Sequence, residues 1–146
     1  LQQEGVNLDA LGVQVLGGVA GGRATRDLMN YSSLLDRFFL FEIPLIVSSL
    51  GVPCEIIDER GGWWKLPWTE ENQQQWANYM FFIALSKPYV ESVIWTDLFD
   101  HDNSQLPTAA MVSKQGKPRQ LLRRLVAFRR KLQQPLGERQ LPSKEA

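Results

Sequence analysis

Three short apolar runs, each followed by a segment of helical length and periodicity, constrain this chain more than any other feature. The first run, LDALGVQVL (8–16), ends in β-branched residues and stops at Gly17-Gly18. The second, PLIVSS (44–49), opens at Pro44 and closes at the turn residues of GVP. The third is VESVIWTD (90–97). Each has the length and composition of a strand. Between them, segment 26–41 sets Leu28, Tyr31, Leu35 and Phe38 on one helical face, with Leu34 and Phe41 beside it, and Thr25 or Asp27 can cap its start. Segment 70–86 follows Thr69, a second capping candidate. It carries Glu70 and Glu71 where the helix dipole favours negative charge, and turns Trp76, Met80, Ile83 and Ala84 inward. Segment 118–132 places Pro118 in its first turn and has an apolar face of Leu121, Leu122, Leu125, Val126 and Leu132. The tail, 133–146, is rich in proline and charge and reads as loose.

The order is β-α-β-α-β-α. Strands joined by helices long enough to cross over imply a parallel sheet, with strands buried on both faces and helices outside. A doubly wound sheet usually needs more strands, and a (β/α)8 barrel needs eight units and typically about 250 residues. Three units and a tail fit the end of a barrel. The expected fold class is therefore α/β, a partial (β/α)8 TIM barrel of about its last three βα units, over residues 1–132. The chain has 146 residues, enough for one domain, and opens on Leu1 with no signal-peptide pattern. We read it as an internal or C-terminal piece of a longer protein. Its native compartment stays open.

Sixteen basic and sixteen acidic residues cancel, so no net field draws the chain to nucleic acid or anionic lipid. Arg119, Arg123, Arg124, Arg129, Arg130 and Lys131 make the last helix basic, and we read them as its solvated outer face. No apolar run reaches the roughly 20 residues of a membrane helix. Neither a nucleic-acid nor a membrane partner is expected. The lone Cys54 excludes an internal disulfide and a cysteine-rich metal site. GGVAGGRA (17–24) has the spacing of neither a dinucleotide fingerprint nor a P-loop. Ser48 or Ser49 with His101 and an aspartate supplies the residue types of a serine hydrolase, without the G-x-S-x-G elbow. DHDN (100–103) offers acidic oxygens and an imidazole to a metal, but lacks the glycine and distant glutamate of an EF-hand. A solvated polar loop is the simpler reading of Asp100–Asp102, and no cofactor is expected. Trp63, Trp64 and Trp68 cluster after the second strand, and Trp95 lies on the third. Exposed indoles at a barrel mouth suit stacking on sugar rings. The alternative is that they plug the loop onto the barrel top.

LDALGVQVLG, RDLMNYSSLLDRFFLFEIPLIVSSLGVP, ENQQQWANYMFFIALSKPYVESVIWTDLFD and GKPRQLLRRLVAFRRKL, in that order, resemble the last three βα units of glycoside hydrolase family 10, the (β/α)8 endo-β-1,4-xylanases. The resemblance runs over residues 5–132. It implies that the three strands are the barrel's sixth, seventh and eighth. Gly12 and Gln14 match the family's sixth-strand glycine and glutamine, while Leu16 stands in place of a histidine. The family's seventh strand ends in isoleucine, threonine and the nucleophilic glutamate. Val47-Ser48-Ser49 occupies that run, so Ser49 stands in the nucleophile's place. Trp95 matches the eighth-strand tryptophan that lines the sugar site, with Thr96 where a glycine usually follows. The acid/base glutamate belongs to the fourth strand, which this chain does not contain.

Retaining glycosidases use two carboxyl groups about 5–5.5 Å apart. A carboxylate can attack the sugar and later leave it. A serine ether at that carbon is a dead end, because an alkoxide leaves poorly. The histidine's absence at Leu16 is consistent with this, since Leu16 and Ser49 are expected to face each other. Glu55 and Asp97 are the replacement carboxylates to consider, with Asp100 and Asp102 just beyond, in an inverting arrangement with a wider gap. The plainer role for them is to bind sugar hydroxyls or face water. The reading is a family 10-like glycoside hydrolase domain, inactive as this fragment, with Gln14, Trp63, Trp64 and Trp95 contacting sugar. Its expected partners are a β-1,4-linked polysaccharide or oligosaccharide and the N-terminal half of its own barrel. Family members are commonly secreted. Two alternatives stand beside it: a non-catalytic carbohydrate-binding pseudoenzyme on the same barrel, and an α/β fragment whose likeness is architectural only.

Overall fold

The computed structural model describes residues 5, 7–18, 27–56 and 67–133. The tail from 134 lies outside them. Three strands alternate with three helices: β1 (Leu11–Leu16), α1 (Leu28–Phe38, extended by a 3-10 turn at Phe39–Phe41), β2 (Leu45–Gly51), α2 (Glu70–Leu85), β3 (Val90–Trp95) and α3 (Gln120–Gln133). The sheet order is β1-β2-β3, and both pairings are parallel. Because the spatial order follows the chain order, right-handed crossovers lay α1 and α2 on the same side of the sheet. One core results. Tyr31 and Leu35 of α1, Trp76, Ala77, Met80 and Ala84 of α2, and Leu121 of α3 pack with Val15, Leu45, Val47, Leu50, Val90 and Trp95 of the strands.

The expectation of strands buried on both faces is corrected here. Partners in a parallel ladder point the same way, and side chains alternate along each strand. Val13, Val47 and Val93 turn to the helices, whereas Gly12, Gln14, Ser48 and Ile94 are exposed on the opposite face. Ile94 shows 51% of its surface. Among the described residues no second layer of helices or strands covers Gly12, Gln14, Ser48 and Ile94 on that face, although Ser49 beyond them is largely buried.

Local chemistry explains the boundaries. Asp27 caps α1, its carboxylate accepting from the Met29 and Asn30 amides at 2.8 and 3.4 Å. Thr25, the other candidate, lies outside the described residues. Thr69 caps α2 through the Asn72 amide at 3.1 Å. Trp68 is buried edge-on against Trp76, so it belongs to the core and not to an open tryptophan cluster. β1 starts later than expected, at Leu11, where the Leu11 amide first meets the Pro44 carbonyl. α3 also starts later, at Gln120, so Pro118 lies outside it, and the Arg119 amide donates to the Met111 carbonyl of the preceding loop. No helix among the described residues is long and apolar enough to cross a membrane.

Glu42 closes the 3-10 turn with φ 55°, a left-handed conformation that a β-carbon disfavours. Glycine removes that penalty while adding freedom to the unfolded chain. Glu42→Gly is expected to stabilise the fold by about 0.5–1 kcal/mol, read as a higher urea midpoint at unchanged slope. A fall in the midpoint would show that the glutamate makes a compensating contact.

Candidate functional site at the strand ends

Past Val47, β2 carries one residue more than its neighbours, whereas before it β3 carries an extra residue, Glu91. Val13 pairs with Val47 but Gln14 pairs with Ser49, and on the other edge Val47 pairs with Val93 but Leu50 with Trp95. The extra residue of β2 is Ser48, a β-bulge whose hydroxyl donates to the Val13 carbonyl at 3.1 Å. The bulge returns Leu50 to the core side, level with Val15 and Trp95, and brings Gln14 and Ser49 level with each other. Two residues singled out by the sequence are thus neighbours. Gln14 is exposed, and Ser49 is only 8% exposed. Leu16 is not opposite Ser49, as expected, but opposite Gly51. A β-carbon at Gly51 would lie 2.6 Å from Thr96 Cγ2, so the glycine leaves room for the threonine.

The only acid within the three strands is Glu91, near the N-terminal end of β3. Trp95 is 7% exposed, stacks on Phe81 of α2 and donates its indole N–H to the Ala109 carbonyl at 2.8 Å. The structure therefore places Trp95 in the helix-side core, with its ring and its donor both engaged. Trp63 and Trp64 lie outside the described residues.

The rim acids go to separate tasks. Glu55 is exposed in the loop after β2. Asp97 accepts from Ser104 Oγ at 2.9 Å and lies 3.5 Å from His101 Nε2. His101 thus stands by Asp97, while the Ser48 hydroxyl is turned to the Val13 carbonyl, so Ser48 is not aimed at His101. Asp102 pairs with Lys114 at the surface, and the Lys114 hydrogen bond holds its pKa below the usual carboxylate range. Among the described residues no group of three or more histidine, cysteine, aspartate or glutamate side chains can hold a metal ion.

Asp100 is not solvated, and Arg119 is not on the solvated face of the last helix; both expectations are corrected. Arg119 is 5% exposed. Its guanidinium donates to Asp100 Oδ2 at 2.6 Å and to the Thr108 and Ala110 carbonyls at 3.0 and 2.7 Å. Asp100 Oδ1 in turn accepts from the Ala110 amide at 3.3 Å. One buried ion pair thereby ties down the loop between β3 and α3. The neighbouring arginines 123, 124, 129 and 130 are exposed, as expected. A cation just before a helix start opposes the dipole, and that was the available signal for Arg119. Gln73 was missed as well. Wholly buried on α2, it donates to the Val52 and Ala109 carbonyls at 2.9 and 3.1 Å and joins the two rim loops. Burial pushes the Cys54 thiol up to about 11, so it stays protonated at neutral pH and is no nucleophile.

No protein-family model matches the chain, and no curated protein matches it. Solved structures do share its fold. The β-D-glucuronidase of Dictyoglomus thermophilum matches with a TM-score of 0.62 at 18% identity, over 88% of this chain and 23% of that one. The β-glucuronidase of Bifidobacterium dentium, complexed with coumarin-3-O-glucuronide, gives 0.61 at 14% identity, over 83% and 20%. A calcium-binding mutant of Bacteroides uniformis β-glucuronidase 2 gives 0.56 at 20% identity, over 75% and 13%. The chain spans between about an eighth and a quarter of the length of these proteins. At such identities the likeness is one of fold, a parallel βα arrangement common to all of them.

Removing Arg119 strands the Asp100 carboxylate away from water. Arg119→Leu is expected to cost about 3–5 kcal/mol. Arg119→Leu with Asp100→Leu should recover most of that loss, because no unpaired charge is left. Urea unfolding of the wild type, both single variants and the double variant measures the cycle. A double variant as unstable as Arg119→Leu would show that the carbonyl contacts, and not the ion pair, hold the loop.

Proposed function

We propose that this chain is the closing part of a glycoside hydrolase-like (β/α)8 barrel, family 10-like in its motifs, whose strand ends keep sugar contacts but not hydrolysis. The observation that carries the reading is the strand-end pairing. Gln14, which matches the family's sixth-strand glutamine, stands level with Ser49 in the nucleophile's place, and none of the three strands ends in a carboxylate. The sequential strand order, the helices gathered on one side and the bare opposite face support a barrel segment, since a barrel's inner face is covered only when all its strands are present. The β-glucuronidases that share the fold carry enzyme names of the same broad class. The substrate class, a β-1,4-linked plant polysaccharide, rests on the family 10 resemblance.

In this reading Gln14 is a sugar contact, an exposed amide able to donate and accept at once. Ser49 cannot form a glycosyl intermediate that water would release. Asp97, occupied by Ser104 and placed beside His101, serves the loop. Glu55 is left to meet hydroxyls or water. A carbohydrate-binding pseudoenzyme is thus the form that Ser49 favours.

The chain should release no reducing sugar from xylan, and Ser49→Glu alone should not change that. The new carboxylate would sit at a largely buried position with Leu16 two residues beyond it and no acid/base partner. Turnover above a buffer blank by the unmodified chain would overturn the inactive reading. The bare face should also bind an apolar dye and favour association between chains. Sharp two-state unfolding of a monomer, with no dye binding, would count against the barrel-segment reading.

A further inference from the structure

A groove of about 180 Å3 lies between α2 and α3, and none of its lining residues comes from a strand. α2 supplies Phe81, Phe82 and Leu85, and α3 supplies Leu121, Leu125 and Phe128, each set at the spacing of one helical face. The Phe82 and Phe128 rings meet edge to face with centroids 5.4 Å apart, so the two walls already pack on each other. Leu121 is buried, yet Phe82 and Leu85 keep 49% and 51% of their surface exposed. Exposed apolar side chains that adjoin one another mark interaction sites, whereas single ones do not. From Gln74 to Leu85 the groove follows three turns of α2, about 16 Å. Its volume is below the roughly 300–1,000 Å3 usual for small-molecule sites. It has room for the tips of a few apolar side chains, which is what the stripe of an amphipathic helix inserts into a groove.

The charge beside this groove has one sign. Among the described residues Arg124 is the only charge in the lining, beside the neutral amides of Gln74 and Asn78. α2 has no charged residue from Asn72 to Leu85, and α3 has no acid from Gln120 to Gln133. Arg123, Arg129 and Arg130 stand exposed on α3. The only acids of the two helices are Glu70 and Glu71, before Gln74, and Glu70 accepts from the Gln120 amide at 3.4 Å. Just past Leu85, Lys87 is paired with Asp36 of α1. Although the whole chain is neutral, this surface is positive, and it favours a partner with carboxylates beside its apolar stripe. A nucleic acid would meet the arginines but not the apolar walls. A flat lipid surface cannot enter a groove between two helices.

We propose that the groove between α2 and α3 docks an acidic amphipathic helix of another protein, independently of the strand ends and of the barrel reading. The test titrates the 146-residue chain, followed by amide NMR shifts, with a helical peptide of about 12 residues, three turns long. The peptide carries leucines at the spacing of one helical face and glutamates on both flanks. A second peptide has lysine for every glutamate, and a third arm uses vesicles of phosphatidylcholine and phosphatidylserine. The glutamate peptide is expected to give saturable shifts at Phe82, Leu125 and Phe128, and the lysine peptide to bind about tenfold more weakly. Arg124→Glu should weaken the glutamate peptide about fivefold and strengthen the lysine peptide, at an unchanged urea midpoint. Leu85→Ser should weaken both, because it removes apolar contact. Equal binding of the two peptides, or no effect of Arg124→Glu, would overturn the acidic class of the partner. Shifts of the groove amides with vesicles and not with peptide would make the surface a lipid contact and overturn the proposal. Shifts confined to Gly12, Gln14 and Ile94 would place binding on the open sheet face instead. Leu136→Ser with Leu141→Ser should leave the affinity unchanged, and a rise would make the chain's own tail the occupant. Shifts at Phe82 and Phe128 on raising the protein concentration alone would make a second copy the occupant. No shift with either peptide would overturn the groove as a docking site.

Discussion

One extra residue in the central strand decides what this structure can display. β2 is hydrogen-bonded on both edges, so its side chains cannot change sides independently of β1 and β3. Without the bulge at Ser48, strict alternation would send Leu50 to the open face and Ser49 into the helix layer. With it, Leu50 joins Val15 and Trp95 in the core, while Ser48 and Ser49 share the open side with Gly12 and Gln14. The Ser48 hydroxyl secures the bulge through the Val13 carbonyl. The end of the sheet is thus set by an irregularity in one strand, and bulges commonly serve to re-aim side chains beside sites.

A second constraint holds the rim. The loop between β3 and α3 is held partly by its own backbone, the Met111 and Val112 amides donating to the Asp97 and Leu98 carbonyls and the Asp100 amide to Val112. Arg119 adds to this order, its five donors fitting carbonyls and the Asp100 carboxylate that the loop presents. Burial works most strongly against the guanidinium's charge, but the Asp100 hydrogen bond and the attraction of nearby groups, Asp100 and Glu70 among them, together outweigh it, so the pKa of Arg119 is raised. Gln73 adds an uncharged tie from α2 to the same loop through Ala109. Trp95 donates to that Ala109 carbonyl too, so core and rim share an anchor.

The alternation of strands and helices was legible because each element carries its own period, and both capping residues within the described chain did what their chemistry allows. Long-range partners were less legible. β1 begins where Pro44 supplies an acceptor, and α3 begins just after the Arg119 amide has met the Met111 carbonyl; neither acceptor is local in sequence. Arg119 resembled its exposed neighbours because composition does not distinguish a paired guanidinium from a solvated one. Leu16 and Ser49 were expected to face each other because the resemblance sets a histidine beside the nucleophile; a regular ladder from Val13 and Val47 would put Leu16 level with Leu50, and the bulge moves it on to Gly51. Trp95 matched a motif by position, yet its ring lies against Phe81. Motif position fixes a residue along a strand, whereas the side it faces depends on register.

In the barrel reading proposed above, the separation of faces would let the fold outlast its chemistry. The residues that hold the sheet to its helices, Val13, Val15, Val47, Leu50 and Trp95, alternate with those that meet the other side, Gly12, Gln14, Ser48 and Ser49. A change on the open side leaves the helix-side contacts in place. Replacing a strand-end carboxylate by serine also removes a charge whose burial would need a partner. In the barrel reading proposed above, losing the nucleophile therefore costs activity while relieving the fold of an electrostatic burden. The glutamine beside it loses no packing, because Gln14 is exposed and makes no core contact. Binding groups can persist at such a strand end after catalysis has gone, since the physics that retains the sheet places no demand on them.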